Sequence, residues 1–231
     1  ARLVDGSDFS DFKPRYGVST VCVQASIMGF RCGLIGNNGP IDPDGATKAT
    51  QFLQLMDQAD TPVIFMQNTT GYMVGKAYEQ RGMIKHGSKM IQAVTNIEVP
   101  RITMMTGASF GAGNYGMCGR AFGPDFLFSW PNAATGVMGG EQAATVMSIV
   151  AEGAAAAAGK EPDRAALAKQ EAHLTALFDG QSSGFYTSGH DMDDGMIDPR
   201  DSRRTLGFLL ATVWEGRHRE TRRNSFGIAR L

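Results

Sequence analysis

The chain has 231 residues, 42% of them apolar and 19% charged, with a formal net charge of −1. That length buries a sizeable core, in one α/β domain or two small ones, and the composition excludes a disordered chain. The near-neutral charge gives no footprint for nucleic acid or an anionic membrane, and no apolar run approaches the roughly 20 residues that cross a bilayer.

Residues 18–25 and 31–35 read as strands, joined through Met28-Gly-Phe30 as a hairpin. A loop follows through Asn37-Asn-Gly39 and residues 40–45. Residues 46–59 read as an amphipathic helix, with Phe52, Leu53 and Met56 on one face. Residues 63–67 are a short buried strand, 68–75 a polar glycine-containing loop, 87–96 a helix and 101–106 the next strand. A helix opened by glycines is expected over 112–120, a strand over 126–130, and a turn at Val137-Met-Gly-Gly140 before a helix reaching Ile149. The alanine run 154–158, then Gly159-Lys-Glu-Pro162, then 163–177 read as a helical hairpin, because alanine is the best helix former. Asp198-Pro199 reads as a turn and helix N-cap. The arginine-rich stretch 217–223 reads as a solvated segment, with a subunit contact as the sharper alternative. Repeated strand–loop–helix units argue for α/β layers with ligand loops at the strand C-termini.

Cys22, Cys32 and Cys118 form no CxxC pair and suit buried apolar positions in a reducing compartment. The start at Ala1, without an initiator Met, reads as a domain excised from a longer chain. His86, His173, His190 and His218 make no HxxxH or HExxH pattern, so no metal site is expected. The acidic stretch from Asp193 to Asp201 lacks EF-hand spacing.

The segment Gly107-Ala-Ser-Phe-Gly-Ala-Gly-Asn-Tyr-Gly-Met-Cys-Gly119 offers few side chains for chemistry, but its small residues let backbone N–H groups come close to a ligand. Gly111-x-Gly113-x-x-Gly116 also satisfies the dinucleotide expression GxGxxG. On pattern alone, tight packing, an oxyanion or ligand cradle and a nicotinamide site all stay open. Gln67-Asn-Thr-Thr-Gly-Tyr-Met-Val-Gly75 and Met138-Gly-Gly-Glu-Gln142 have ligand-loop composition and fit ordinary turns equally well. Ser109 lacks the nucleophile-elbow pattern and a His partner.

Seven segments together carry a resemblance. They are Ile35-Gly-Asn-Asn-Gly39, Gln67 to Gly75, His86-Gly-Ser-Lys89, Phe110-Gly-Ala-Gly-Asn-Tyr-Gly-Met-Cys-Gly-Arg120, Trp130-Pro-Asn132, Val137-Met-Gly-Gly-Glu-Gln142 and Asp193-Asp-Gly-Met-Ile-Asp-Pro199. In this order they resemble the C-terminal half of the carboxyltransferase (β) subunit of biotin-dependent acyl-CoA carboxylases, in the 3-methylcrotonyl-CoA and geranyl-CoA branch. The resemblance implies an α/β, crotonase-like (ClpP-type) ββα superhelix, a single domain over 1–231 with a helical hairpin insertion at about 151–180. It also implies carboxyl transfer from carboxybiotin to an enoyl-CoA. Two backbone N–H groups hold the charge that develops on biotin, and no side-chain base is required. Carried over by motif, the donors are those of Ala112 and Gly113, each worth about 3–4 kcal/mol in the transition state. Biotin contacts are expected from Phe110, Gly111, Asn114, Tyr115, Val137, Met138, Gly139, Gly140 and Gln142. Acyl or pantetheine contacts are expected from Asn68, Thr70, Gly71, Tyr72 and Gly75. The implied partners are the N-terminal carboxyltransferase half, a biotin carboxylase/biotin carboxyl carrier subunit, the acyl-CoA and further copies in a homo-oligomer. The implied setting is bacterial cytoplasm or mitochondrial matrix, with no metal in this domain.

Three other readings compete. One is a decarboxylase half-subunit working with a membrane sodium pump, and another is an assembly module that binds acyl-CoA or biotin without turnover. A free-standing hydratase or isomerase would want a carboxylate pair near the glycine segment, where Glu141 stands alone.

Overall fold

The computed structural model describes residues 1–159, 161–222, 225 and 227. In chain order its elements are β1 (Phe9–Asp11), β2 (Thr20–Ile27), β3 (Phe30–Asn37), α1 (Pro43–Gln58), β4 (Val63–Thr69), α2 (Lys76–Gln80), α3 (Met83–Asn96) and β5 (Arg101–Phe110). There follow α4 (Gly111–Gly116), β6 (Phe126–Ser129), β7 (Ala134–Gly136), α5 (Gly140–Ala157), α6 (Arg164–Ser182), α7 (Gly184–Gly189) and α8 (Ser202–His218).

The strands make one seven-stranded sheet in the order β1-β2-β3-β4-β5-β6, with β7 beside β5. The first three pair antiparallel, and β3 to β6 run parallel. The turn between β2 and β3 needs only Met28 and Gly29, both at positive φ (51° and 85°), which matches the twist of a two-residue hairpin. The Asp5 carboxylate closes it by accepting from both amides, at 2.9 and 2.8 Å. Parallel neighbours cannot be joined so tightly, so each crossover carries a helix.

Period-two alternation sends side chains to both sheet faces. Cys22, Ile35, Val63 and Phe65 face one layer, formed by α1 and α3 with Phe52, Leu53, Met56, Met90 and Val94. Val23, Leu34, Ile64, Ile102 and Met104 face the other layer, formed by α8 with Leu206, Leu209 and Leu210. Each fully buried side chain of this size contributes about 1.5–3 kcal/mol. All three cysteines are free and buried, and burial pushes each thiol up to about 12.

Several elements depart from their expected limits. The first helix begins at Pro43, three residues before Ala46, because Asp42 caps it and proline suits the first helical position. The loop expected over 68–75 keeps Asn68 and Thr69 in β4, and the helix expected at Gly87 starts at Met83. The strand expected over 101–106 runs on to Phe110. The helix expected over 112–120 ends at Gly116, and Cys118 at φ 57° turns the chain out of it. The helix expected to stop at Ile149 absorbs most of the alanine run and reaches Ala157; it packs against α6, which Asp163 caps through the Ala165 and Ala166 amides. Asp198 accepts from the Arg200 amide at 2.8 Å and starts the turn that leads into α8. In the arginine-rich stretch, Arg217 belongs to α8 and pairs with Asp60. Lys160 of the expected hairpin turn and Arg223 of that stretch lie outside the described residues.

Candidate functional site

The C-terminal ends of β4 and β5 are irregular where they meet. Gln67 pairs with Met105 but Thr69 pairs with Ser109, so β5 carries extra residues opposite Asn68. The Asn68 side chain fills the gap. Its Oδ1 accepts from the Ala108 amide at 3.1 Å, and its Nδ2 donates to Asn38 Oδ1 at 2.7 Å. Gly107 is needed beside it, since a Cβ there would lie 2.4 Å from Asn68 Oδ1.

From this irregular end the chain turns into α4. Gly111 takes φ 54°, which favours glycine, and a Cβ there would also lie 3.1 Å from the Val137 carbonyl oxygen. Phe110 precedes the helix and provides no side-chain cap. The first-turn N–H groups, those of Ala112 and Gly113 among them, have no partner within a helix. Ala112 is exposed and Gly113 is buried. Gly113 packs so tightly that a Cβ would sit 2.7 Å from Gly71 Cα.

Gly111 and Ala112 open on a cleft of about 670 Å³. Its other walls are Asn114 and Tyr115 of α4, Thr135, Gly136, Val137 and Met138 around β7, and Phe178, Gln181, Ser182, Tyr186, Thr187 and Met192 from α6, α7 and the turn beyond. None of these lining residues is Asp, Glu, His, Cys, Lys or Arg. What this cleft can do chemically is hold an apolar body between Tyr115, Val137, Met138, Phe178 and Tyr186 and present backbone N–H groups to an oxygen that gains charge. A groove of about 800 Å³ between α1 and α3, lined by Gln51, Gln54, Gln92 and Asn96 among others, lies away from these strand ends.

Of the residues expected on the biotin side, Gly111, Ala112, Asn114, Tyr115, Val137 and Met138 meet at the cleft. Gly113 lies behind it against Gly71, and Phe110 ends β5 with its ring near Gly136. Gly139 and Gly140 start α5, and Gln142 is exposed on that helix. The loop residues expected on the acyl side form a separate group. Asn68 fills the strand irregularity, Thr70 is exposed, Gly71 meets α4, and Gly75 precedes α2 at φ 116°. The Tyr72 ring turns towards α3: its hydroxyl donates to the Gly87 carbonyl at 3.4 Å, and burial pushes its phenol up. Sequence reasoning missed Phe178, Tyr186 and Met192, which reach the cleft from elements remote in the chain and carry no local signature. It also gives Gln67 and Ser109, which lie beneath α4, no part in shaping the site.

The fold and site define an α/β protein with a cleft at the C-terminal ends of parallel strands, bordered by the uncapped start of α4. The chain belongs to the carboxyl transferase domain family, which matches residues 1–226. It is 50% identical to a probable biotin-dependent acyl-coenzyme A carboxylase beta2 subunit of Mycobacterium tuberculosis, with all of this chain and 44% of the relative covered. It is 43% identical to a probable mitochondrial methylcrotonoyl-CoA carboxylase beta chain of Drosophila melanogaster, with all of this chain and 39% of the relative covered. Among solved structures it matches the beta subunit of geranyl-CoA carboxylase from P. aeruginosa with a TM-score of 0.91 and 51% identity, over all of this chain and 44% of that one. The crotonase-like fold is common to these carboxyltransferases. The chain spans less than half the length of the relatives it matches.

Proposed function

We propose that this chain supplies the biotin-side half of a carboxyl-transfer site acting on an enoyl-CoA of the 3-methylcrotonyl-CoA or geranyl-CoA type. The observation that carries this reading is the uncapped start of α4, opening on a cleft lined by no Asp, Glu, His, Cys, Lys or Arg, in a chain of this family. A reaction run by backbone donors needs such a surface and nothing more from the side chains.

The residues present fit biotin. Uncapped N–H groups suit its ureido oxygen, the apolar walls suit its body, and the cleft falls within the roughly 300–1,000 Å³ of ligand pockets. Carboxybiotin, carried by a partner, supplies the activated carboxyl group. The N–H groups of Ala112, on the cleft wall, and of Gly113, the next residue behind it, would be the two donors to that oxygen as it gains charge, a preorganisation worth about 3–4 kcal/mol per donor. Phe110, Gly139, Gly140 and Gln142 complete the biotin side as its support and rim. Asn68, Thr70, Gly71, Tyr72 and Gly75 border the acyl or pantetheine chain, with Tyr72 acting through its backbone because its half-buried ring packs towards α3.

The acyl-CoA-side donors come, on this reading, from an N-terminal carboxyltransferase half, and the carrier from a biotin carboxylase/biotin carboxyl carrier subunit. Val146, Ile149 and Val150 leave an exposed apolar strip on α5, which supports cover by another copy or half in a homo-oligomer. The setting is bacterial cytoplasm or mitochondrial matrix.

The test uses the chain assembled with the N-terminal half and the biotinylated subunit, supplied with ATP, bicarbonate and 3-methylcrotonyl-CoA or geranyl-CoA. Wild type is expected to form the carboxylated ester. Ala112→Pro removes one N–H at a first-turn position that tolerates proline, and is expected to lower kcat roughly 100- to 1,000-fold at an unchanged melting temperature. No turnover in a correctly assembled wild-type complex sinks the reaction, and full activity of Ala112→Pro sinks the donor assignment.

A further inference from the structure

Beneath α4 lies a chain of buried hydrogen bonds that the chemistry above does not use. The Ser109 hydroxyl donates to Gln67 Oε1, and Ser109 Oγ accepts from Asn114 Nδ2 at 2.8 Å. Gln67 Nε2 donates to the Met117 carbonyl at 2.5 Å. Gln67 and Ser109 are fully buried. We propose that Gln67 and Ser109 are positioning residues that hold α4, and with it the amides of Ala112 and Gly113, against the ends of β4 and β5. The inference rests on the reading of those two amides as the oxyanion donors.

A helix of six residues does not persist by its own hydrogen bonds, so its place must come from its surroundings. The relay grips it at two points: Asn114 follows Gly113 directly, and Met117 is the residue that ends the helix. Its polarity is set throughout. A glutamine amide offers an acceptor on one edge and donors on the other, and a hydroxyl offers one donor and two lone pairs. Asn114 donates to Ser109, Ser109 to Gln67, and Gln67 to Met117, so each side chain is satisfied in only one orientation. Gln67 and Ser109 are fully buried, so water cannot take the place of either, and a missing one leaves its neighbour unpaired. The backbones of both residues are tied as well. Thr106 Oγ1 donates to the Gln67 carbonyl at 2.9 Å, and Thr135 Oγ1 donates to the Ser109 carbonyl at 2.7 Å. Asn114 is further confined by Gly119, where a Cβ would fall 1.8 Å from its Oδ1. Neither Gln67 nor Ser109 lines the cleft, so neither touches what binds there.

The test compares Gln67→Met, Ser109→Ala and the double variant in the assembled carboxylase, each with a thermal melt. Both substitutions nearly preserve volume and leave the strands intact. Each single variant is expected to lower kcat roughly 10- to 100-fold, the scale of a small misplacement of reacting groups, with the acyl-CoA KM little changed. The double variant is expected to lose no more than the worse single, because both break one relay. A kcat within about threefold of wild type in both singles, a double loss equal to the product of the two, or a KM that rises in step with falling kcat overturns the proposal. If these variants do not accumulate as folded protein, Ser109→Cys keeps the side-chain shape but replaces the hydroxyl with a weak S–H donor, with the same kcat and KM split expected. Ala112→Pro is run in parallel. Its full activity refutes the donor reading itself, whereas an inactive Ala112→Pro beside fully active Gln67→Met and Ser109→Ala refutes the relay alone.

Discussion

The starts of α1 and α4 are two treatments of the same structural problem. Each helix has a glycine at its third position, Gly45 in α1 and Gly113 in α4. In α1 the Asp42 carboxylate accepts from the Gly45 amide at 2.7 Å, and Pro43 removes a second unpaired N–H. In α4 Phe110 caps nothing, and the first-turn amides stay open. A closed start stabilises a long helix that covers the sheet. An open start weakens a short one but leaves donors for a ligand, and its neighbours must then hold it in place. The difference teaches that the missing cap of α4 supports the proposed site only together with the cleft beside it, since α2, α3, α5 and α8 also start without a side-chain cap.

The sharpest way to break the comparison is Gly113→Ala. Its Cβ would lie 2.7 Å from Gly71 Cα and 3.1 Å from Gly71 N, and a backbone cannot turn aside as a side chain can. The first turn of α4 must shift, so activity is expected to fall about 100-fold. The overpacking is expected to cost about 1–3 kcal/mol, read from a denaturant midpoint. A fully active Gly113→Ala would show that this close approach does not set the donors.

Gly45→Ala is the matching change at the closed start. Its Cβ would meet Thr20 Oγ1 at 2.5 Å and Asp42 Oδ1 at 2.7 Å, so the added methyl displaces the cap itself. A stability loss of about 1–3 kcal/mol is expected, with kcat per folded molecule unchanged. Equal losses of activity in the two alanine variants would erase the distinction between the helix starts.

Much of this contrast was legible in the sequence. The density of small residues from Gly107 to Gly119 marked a close backbone approach, and the ordered motifs pointed to the family that the comparisons show. The limits of the segment were not legible. Glycine reads as a strand breaker, yet Gly107 stays in β5 because the Asn68 side chain occupies the space of its Cβ. The relay was hidden for a different reason. Gln67 and Ser109 lie 42 residues apart, and only the parallel pairing of β4 and β5 brings them together. Ser109 fits no nucleophile elbow, and its donation to Gln67 gives it another task. The helix α8 is legible beyond the cap expected at Asp198-Pro199: Leu206, Leu209, Leu210 and Val213 recur at helical spacing and are buried. The three residues of β7 carry no period at all, and pairing with β5 alone makes them a strand.

The smallest effect is expected from Asp42→Ala, and it measures what α4 forgoes. The substitution leaves the Gly45 amide and the Ser19 hydroxyl without their shared acceptor. Loss of such a cap costs about 1 kcal/mol. The helix itself should survive, because Phe52, Leu53 and Met56 remain buried in the core and contribute several times that amount. Asp42→Asn keeps a capping oxygen and should recover most of the loss. Urea midpoints of the two variants check both statements, and kcat should match wild type in each, since α1 presents nothing to the cleft. Reduced activity in a folded Asp42→Ala protein would mean that the closed start also feeds the site. The division between a helix start that holds the fold and one that does chemistry would then fail.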